Sequence, residues 1–474
     1  MPSCRVTICL YNNLKNTKFI LIDKETTTYE QILKSCSQKF QTKILSLTLE
    51  SGKKFNLDDL KDSSIKLICS PKENISETIE EIKMEKTNVF TKIYANKSYI
   101  HLDVHPQLKF VEKLEGVTHV IGMPDLHPGK GCPIGAITIT KNIIYPHLIG
   151  EDIGCGMSLV KTPIPGDINF KKVERLSKRL ELDFSLPQDQ IDEYLSSELY
   201  WPSKVKVGSV ENTLYDHQLG TIGAGNHFAE LQIVDKIVDE KLCQEYDITQ
   251  KFCYLLVHSG SRGLGENILN TYFAQIDNLT KTGIKIDDNM CKKYLKEHDN
   301  AKTWAKRNRA LIAKKFIESC YEKNIDDPQL VKYECIIDIW HNYLEKKDDN
   351  LIHRKGVAPA DQGPIVIPGS RGSMSYIVMP INGSIESGWS LSHGAGRKIT
   401  RTKALSTLKD KIKDYNSLKV TDLDSIVLCS NKDLLYEEAP QNYKDIDEVI
   451  QDLVEYNLIK IIAIMKPVLT YKVN

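Results

Sequence analysis

The sequence has no run of about 18 or more apolar residues, which argues against a membrane-spanning helix. It also has no net charge, because 63 Lys and Arg balance 63 Asp and Glu. Any affinity for nucleic acid must therefore come from local basic patches and not from a global field. Residues 1–13 contain no long apolar segment behind a basic end, so a secretory signal is not predicted.

No CxxC pair occurs among the 12 cysteines. The sequence therefore predicts neither a zinc knuckle nor a short disulfide scaffold. In a chain of 474 residues such scattered cysteines are typical of reduced thiols, so we expect a cytoplasmic or nuclear location. A Walker P-loop and a strand-flanked GxGxxG are also missing, which disfavours ordinary NTPase and dinucleotide-binding folds.

Residues 1–70 are predicted to form a small separate module. Alternating apolar residues predict strands, and apolar residues at helical spacing behind a threonine cap predict one helix. The ββαββ order resembles the ubiquitin-like β-grasp, and residues 57–62 resemble doublecortin-type members of that group. The predicted elements are strands over 5–10 and 17–22, a helix over 28–40, and strands over 44–49 and 65–69.

The remainder of the chain divides into a linker and a larger body. Residues 71–95 are charged and poor in apolar residues, which is typical of a linker. Residues 96–474 are predicted to form an α/β (α+β) catalytic domain. We expect strands over 117–122, 134–139, 254–258 and 461–464, the last before a C-terminal tail, and helices over 287–323 and 445–459.

The helix predicted over residues 287–323 is rich in Lys and Arg. One interpretation is a solvated helix face. The other is a surface that follows the phosphates of a nucleic acid. The basic residues concerned are Lys302, Lys306, Arg307, Arg309, Lys314 and Lys315.

Residues 150–157 place the carboxylate of Asp152 three positions before the thiol of Cys155, with glycines on both sides of the cysteine. Glycine removes side-chain bulk where the backbone and a ligand must approach closely. An anionic oxygen and a potential thiolate on such a backbone suit one or two divalent cations. A cysteine in this setting can equally be an ordinary buried thiol.

Histidines downstream favour the metal-site interpretation. Each one by itself could be a hydrogen-bonded structural histidine. Imidazole together with carboxylate and thiolate suits Mn, Fe, Co or Zn and does not suit Ca or Mg. Five histidines lie close to Gly or Asn: His227, His258, His341, His353 and His393.

Glycine-rich segments near these histidines offer backbone N–H groups to phosphates, although such segments also form plain turns. Arg262, Arg371 and Arg397 lie inside or beside the segments and supply fork-shaped donors for phosphate oxygens. The segments are residues 223–225, 260–263, 368–372 and 394–396.

Six motifs, taken together and in this order, resemble the RtcB family of RNA ligases over roughly residues 95–474. Residues 368–372 and 468–472 are similar to the compact branch of that family. The six motifs are residues 122–135, 152–156, 225–228, 258–263, 353–356 and 393–397.

The resemblance implies two Mn²⁺ ions. Asp152, Cys155 and His227 would hold one ion, and Cys155, His258 and His341 would hold the other. Cys155 would therefore be shared by both ions.

The resemblance also implies that His393 attacks the α-phosphate of GTP and becomes guanylylated, while Arg262 and Arg397 engage phosphate. Arg371 departs from the family pattern, because longer members usually have an uncharged residue there. The implied GTP-binding residues, besides His393, are Asn226, Phe228, Glu230, Asn342, Pro368, Gly369, Ser370, Arg371, Ser375, Gly394, Ala395, Gly396 and Lys472.

The implied reaction joins an RNA end bearing a 2′,3′-cyclic phosphate or 3′-phosphate to a 5′-hydroxyl end, in RNA repair or tRNA splicing. Such RNA and a protein partner of the N-terminal module are the expected partners, and no membrane is expected. Two alternatives stay open. The same site could serve a binuclear-metal phosphoesterase or an end-capping nucleotidyltransferase, or the chain could be a non-enzymatic adaptor that acts through its N-terminal module.

Overall fold

The chain separates into two compact units, residues 1–88 and residues 89–474, and each is described by itself. Most of the predicted linker, residues 71–88, lies outside the described residues. The computed structural model describes residues 3–10, 13–23, 27–49, 55–57, 66–70, 89–180, 185–196, 199–200, 206–207, 210–320, 333–381 and 383–473.

The first unit has the predicted ββαββ order. Its sheet runs β2-β1-β4-β3, with β1 and β4 parallel and the outer pairs antiparallel. Thr28 and Gln31 form a reciprocal capping box that fixes the start of the helix. Of the doublecortin-like residues 57–62, only Leu57 is described. The elements are β1 Ser3–Leu10, β2 Asn13–Asp23, α1 Tyr29–Phe40, β3 Ser46–Leu49 and β4 Lys66–Ser70.

The second unit mixes strands and helices, as predicted. Its strands are β5 Phe90–Ile93, β6 Val117–His127, β7 Ile134–Thr140, β8 Ile143–Ile144, β9 Gly156–Pro165, β10 Leu199–Tyr200, β11 Lys206–Val207, β12 Phe228–Ile237, β13 Phe252–Ser259, β14 Ile284–Lys285, β15 Glu334–Trp340, β16 Asn342–Lys347, β17 Asn350–Lys355, β18 Val357–Pro359, β19 Ile365–Pro368, β20 Ser375–Pro380, β21 Ser390–Ser392, β22 Ile426–Leu428 and β23 Ile459–Tyr471.

Its helices are α2 Val104–Glu112, α3 Phe170–Ser177, α4 Gln188–Ser196, α5 Glu240–Glu245, α6 Gly263–Gln275, α7 Leu279–Thr282, α8 Asn289–Cys320, α9 Arg401–Lys411, α10 Lys432–Glu437 and α11 Ile446–Glu455. The two long helices predicted from periodicity correspond to α8 and α11. Within the described part of the chain, no helix combines the length and apolarity that a membrane crossing requires.

Two sheets dominate the second unit as far as it is described. The larger has the order β15-β9-β13-β12-β23-β20-β19, with β22 also pairing with β23. The smaller has the order β16-β17-β7-β6-β5. Short two-stranded pairs accompany them: β8 with β14, β10 with β11, and β18 with β21.

Alternation along β13 explains how the layers pack. Tyr254 and Leu256 point into a core shared with β6 and β7 of the smaller sheet. Leu255 and Val257 point to the opposite face, where Phe316 of α8 covers them. Because neighbouring side chains in a strand face opposite sides, a strand between two layers is apolar at every position.

The last strand is longer than predicted. Residues 461–464 were expected to form a short strand before a tail, yet β23 continues to Tyr471. Pro467, which cannot donate to a ladder, lies where the pairing with β12 shifts register between Leu231 and Gln232. A proline can therefore be accommodated without ending the strand.

Candidate metal and nucleotide site

Four neighbouring strands of the larger sheet bring separate parts of the chain to one place. The register aligns Trp340 with Gly156, and it aligns His258 with both Met157 and Phe228. In an antiparallel sheet the end of one strand lies beside the start of the next. The loops at these ends of β15, β9, β13 and β12 therefore meet.

The five predicted metal-binding residues come together at this point. Cys155 Sγ lies 3.3 Å from Nε2 of His227 and 3.3 Å from Nε2 of His258. Nε2 of His258 lies 3.2 Å from Nε2 of His341, and Asp152 Oδ2 lies 2.9 Å from Nε2 of His227. The ligand atoms of Cys155, His227 and His258 all lie within 4.8 Å of one another.

The imidazole nitrogens in the cluster have lone pairs available for a cation. His227 Nδ1 lies 3.1 Å from the carbonyl oxygen of Ile222 and donates to it, which leaves Nε2 as an acceptor. Burial lowers the pKa of His258 and of His341 well below the ordinary value. Neutral imidazoles whose Nε2 atoms lie 3.2 Å apart fit as ligands of a metal ion at this point.

The acidic groups of the cluster fit the same interpretation. Burial raises the pKa of Asp152, but the neighbouring His227 and Arg262 outweigh this effect and lower it. Burial and the Asp152 carboxylate raise the pKa of Cys155 well above its ordinary value. A metal ion deprotonates a ligating thiol. Within the described residues, Asp152 Oδ1 and His341 Nδ1 lack hydrogen-bond partners.

His393 lies beside this cluster and is held by a buried carboxylate. Its ring centroid lies 4.6 Å from that of His341. Asp125 Oδ2 accepts a hydrogen bond from Nδ1 of His393 at 2.8 Å and another from the His393 backbone N–H at 3.2 Å. Nδ1 is therefore occupied, and the lone pair of Nε2 is left for chemistry.

Asp125 is a residue that the sequence reasoning did not single out, although it lies in the motif of residues 122–135. Burial raises its pKa, but His393 and the ammonium of Lys444 outweigh burial and lower it. Lys444 Nζ donates to the carbonyl oxygens of Pro124 and Leu126 at 2.8 and 2.7 Å. The Asp125 carboxylate is thus held by His393, and the backbone on either side of Asp125 is held by Lys444.

Gly396 allows the loop after His393 to pack against Asp125. Its φ is +72°, and an added Cβ would lie 2.2 Å from the Asp125 carbonyl oxygen. Ala395 N donates to the carbonyl oxygen of Pro368 at 3.1 Å on the other side. The glycines of residues 394–396 therefore serve close packing between three segments.

The cluster and His393 line one large cavity of about 1160 Å³. Most of the predicted GTP-binding residues line it too. Ser375 does not: it is buried, and its Oγ accepts a hydrogen bond from Gln232 Nε2 at 2.9 Å. The predicted residues in the lining are Asn226, Phe228, Glu230, Asn342, Pro368, Gly369, Ser370, Arg371, Gly394, Ala395, Gly396 and Lys472.

Two ionisable groups in this lining are deeply buried. Burial raises the pKa of Glu230, which accepts hydrogen bonds from Gln232 and Thr470. Burial lowers the pKa of Lys472 to about 8, and its Nζ donates to the His227 carbonyl oxygen at 3.0 Å. A buried carboxyl and a buried ammonium in the cavity wall suit hydrogen bonding to a polar ligand.

The three predicted phosphate-binding arginines have different surroundings. Arg371 lines the cavity, and within the described residues its Nε and Nη1 lack partners. Arg397 lines the cavity but already donates to Glu438 and to two backbone carbonyls. Arg262 lines a smaller cavity of about 370 Å³ that also reaches Asp152.

His353 has structural contacts. Its Nε2 accepts from the backbone N–H of Tyr145 at 2.9 Å, and its Nδ1 lies 3.2 Å from the Thr138 carbonyl oxygen. Both ring nitrogens are used inside the protein, so His353 differs from the four histidines at the cluster.

Both interpretations of the basic helix are wrong for Arg307, Arg309 and Lys315, which are buried. Arg309 and Lys315 donate to loops around the cluster, whereas Arg307 donates to the Tyr194 carbonyl oxygen on α4. Arg309 Nη1 donates to the carbonyl oxygens of Gly154 at 3.0 Å and Ser259 at 3.2 Å. Helical periodicity identifies α8, but a charged residue on its inner face looks the same in sequence as one on its outer face.

Replacing Arg309 with methionine is expected to lower the free energy of unfolding of the second unit by about 3 kcal/mol, because the buried Asp338 loses one of its two cationic partners. Urea denaturation followed by tryptophan fluorescence measures this, since all four tryptophans lie beyond residue 88. Lys314→Met on the exposed face of α8 is the control and should change the value by less than about 0.5 kcal/mol. Equal effects of the two changes would contradict the assigned role of Arg309.

The fold and site define a mixed α/β protein with a candidate metal centre beside a positioned histidine. The family model described as "tRNA-splicing ligase RtcB" matches residues 107–473. The chain therefore belongs to the RtcB family of RNA ligases.

Individual relatives support this membership. The chain is 38% identical over 373 residues to RNA-splicing ligase RtcB2 of Escherichia coli, which covers 77% of the chain and 91% of that relative. It is 29% identical over 428 residues to RNA-splicing ligase RtcB of another Escherichia coli strain, covering 80% and 97%. It is 29% identical over 477 residues to tRNA-splicing ligase RtcB of Nanoarchaeum equitans, covering 84% and 98%.

Proposed function

We propose that the protein is a GTP- and Mn²⁺-dependent ligase that joins RNA ends bearing a 3′-phosphate or 2′,3′-cyclic phosphate to 5′-hydroxyl ends. The observation that carries the proposal is the pairing of His393 with the buried carboxylate of Asp125 beside the cluster. An oriented imidazole next to a candidate metal centre suits nucleotidyl transfer.

His393 is the proposed nucleophile. With Nδ1 donating to Asp125, Nε2 can attack the α-phosphate of GTP; an N–P bond forms and pyrophosphate leaves. The 3′-phosphate of the RNA then takes GMP from His393, and the 5′-hydroxyl of the second RNA displaces GMP. A 2′,3′-cyclic phosphate is opened to a 3′-phosphate beforehand.

Asp152, Cys155 and His227 would hold one ion, and Cys155, His258 and His341 would hold the second. The convergent N, O and S donors support this assignment, as does Asp152 Oδ1, which lacks a hydrogen-bond partner within the described part of the chain. When bound, such ions neutralise charge on the transferring phosphoryl group. Several metals suit these donors, and we choose manganese among them because of the family resemblance.

The cavity walls would bind the guanylate. The carboxyl of Glu230, the ammonium of Lys472 and the backbone of residues 394–396 supply donors and acceptors along the cavity that His393 enters. Arg371 brings two guanidinium N–H groups that lack partners within the described residues, so it favours an anionic or strongly accepting part of the substrate.

The first unit is proposed to be a ubiquitin-like β-grasp module over residues 1–70, joined by a linker over 71–95 to a catalytic domain over 96–474. The parallel pairing of β1 and β4 in a β2-β1-β4-β3 sheet, with α1 between its two hairpins, supports this. The proposed role of the module is to bind a protein partner.

The test of the function is ligation of two short RNAs, one ending in a 2′,3′-cyclic phosphate and one starting with a 5′-hydroxyl. We expect a joined product only when GTP and Mn²⁺ are both present. Cleavage or dephosphorylation of the RNA without GTP, and with no joined product, would favour a binuclear-metal phosphoesterase. A label transferred from GTP to the RNA end without joining would favour an end-capping enzyme.

Asp125→Asn is expected to slow labelling of the protein by α-labelled GTP by roughly 10²- to 10⁴-fold, because an amide can no longer hold His393 in the reactive tautomer. Rapid-quench labelling measures the rate. Asp361→Asn, which alters a carboxylate paired with Lys347 outside the cavity lining, is the matched control. A normal rate in Asp125→Asn would show that His393 needs no such partner.

A further inference from the structure

The large cavity extends beyond the residues assigned to the metals and to GTP. His101, Asn270 and Phe273 also line it, and the proposed chemistry uses none of them. Phe273 is 40% exposed, and Asn270 is exposed as well. Lining residues that reach solvent mark the mouth of the cavity.

The mouth is joined directly to the catalytic part of the site. Phe273 and Asn270 lie on α6, which begins at Gly263, shortly after His258 on β13. His101 is half-buried in the same cavity lining, and its ring packs edge-on against Tyr99 with centroids 6.2 Å apart. Exposed ring surface is therefore presented where a substrate must pass.

The charge of the lining fits a polyanion. Among the described lining residues, seven side chains are cationic and four are acidic. The excess of positive charge in a confined space attracts phosphates. The cationic residues are Lys130, Lys355, Arg371, Arg397, Lys398, Arg401 and Lys472, and the acidic residues are Glu151, Asp152, Glu230 and Glu438.

We propose that Phe273, with Asn270 one helical turn before it on α6, is a stacking platform for a base of the single-stranded RNA end that enters the cavity. The proposal rests on the proposed function, since it names how that site holds its RNA. Unpaired bases stack on aromatic rings whatever their identity, while amides and imidazoles reach base edges or ribose hydroxyls. An RNA end near the metal cluster would place its adjoining bases at the mouth.

The test measures the affinity of the full chain, without GTP, for a short RNA that ends in a 3′-phosphate and carries 2-aminopurine as its last base. Fluorescence anisotropy gives the dissociation constant. Phe273→Ala is expected to weaken binding about 10-fold, and Phe273→Trp is expected to stay within about 3-fold of the wild type because it keeps a ring. Phe170→Ala, which removes a ring of similar exposure on α3, should leave binding unchanged.

The emission of 2-aminopurine separates stacking from a merely structural effect. It should be quenched when the RNA binds the wild type and Phe273→Trp, and it should stay bright on Phe273→Ala at saturating protein. Unchanged affinity and quenching in Phe273→Ala would overturn the proposal. Labelling of the same samples by α-labelled GTP tests the proposed function separately. If the wild-type protein binds RNA through Phe273 but is not labelled, only the guanylate chemistry is refuted.

Discussion

His393→Ala is expected to abolish both labelling of the protein by α-labelled GTP and RNA joining, a loss of at least about 10⁴-fold. The reason is that alanine removes the nitrogen to which the GMP would be attached. Six other histidines line the cavity, and three of them, His227, His258 and His341, have their Nε2 atoms in the cluster.

The control for this change is His217→Ala, an exposed histidine outside the lining of the large cavity, whose Nδ1 contacts the Leu214 carbonyl oxygen at 2.9 Å. It should keep full activity. A second measurement tests whether the variant is still folded. His393→Ala should bind Mn²⁺ like the wild type, since His393 is not among the proposed metal ligands. Residual labelling at a tenth of the normal rate would mean that another side chain carries the GMP.

Cys155→Ala should lower the manganese content of the purified protein from about two ions per chain to fewer than one, because the shared thiolate joins both halves of the proposed site. RNA joining should fall below detection. Atomic emission spectrometry after removal of free metal gives the content, and with Co²⁺ in place of Mn²⁺ the thiolate-to-cobalt charge-transfer band should disappear.

Cys253 offers a matched control, because it is another buried free thiol. It lies on β13 and faces the core that α8 covers. Cys253→Ala should keep its manganese and its cobalt spectrum. Normal metal content in Cys155→Ala would exclude a bridging role for the thiolate. Loss of metal in both variants would point to general destabilisation.

Local pattern in the sequence predicts the five elements of the first unit, but only six of the 19 strands and 10 helices described in the second. Thr28 ahead of Gln31 predicts the start of α1, and the apolar run before His258 predicts β13. The end of β23 was missed because Pro467 is normally a strand breaker, and only its partner strand reveals the register shift that accommodates it. Which strands pair is a long-range property that no local pattern contains.

In the candidate site, too, some residues could be predicted from the sequence and others could not. The candidate metal-binding residues could be predicted because thiol, carboxylate and imidazole groups beside glycines are unusual, and the family resemblance then grouped them. Asp125 and Lys444 were missed because an acid in a glycine-containing motif and a lysine before a helix carry no distinctive local signal. Their importance comes from contacts that are distant in the sequence: 268 residues separate Asp125 from His393, and 318 separate Lys444 from Leu126.

The most direct measurement is mass spectrometry of peptides from the protein after brief reaction with GTP and Mn²⁺. The cavity holds a competing nucleophile, because burial lowers the pKa of Lys472 to about 8 and an amine can also form a phosphoramidate. We expect a single GMP adduct on His393, absent when Mn²⁺ is omitted. An adduct on Lys472, or none under conditions where RNA is joined, would contradict the assignment of His393 as the group that carries guanylate.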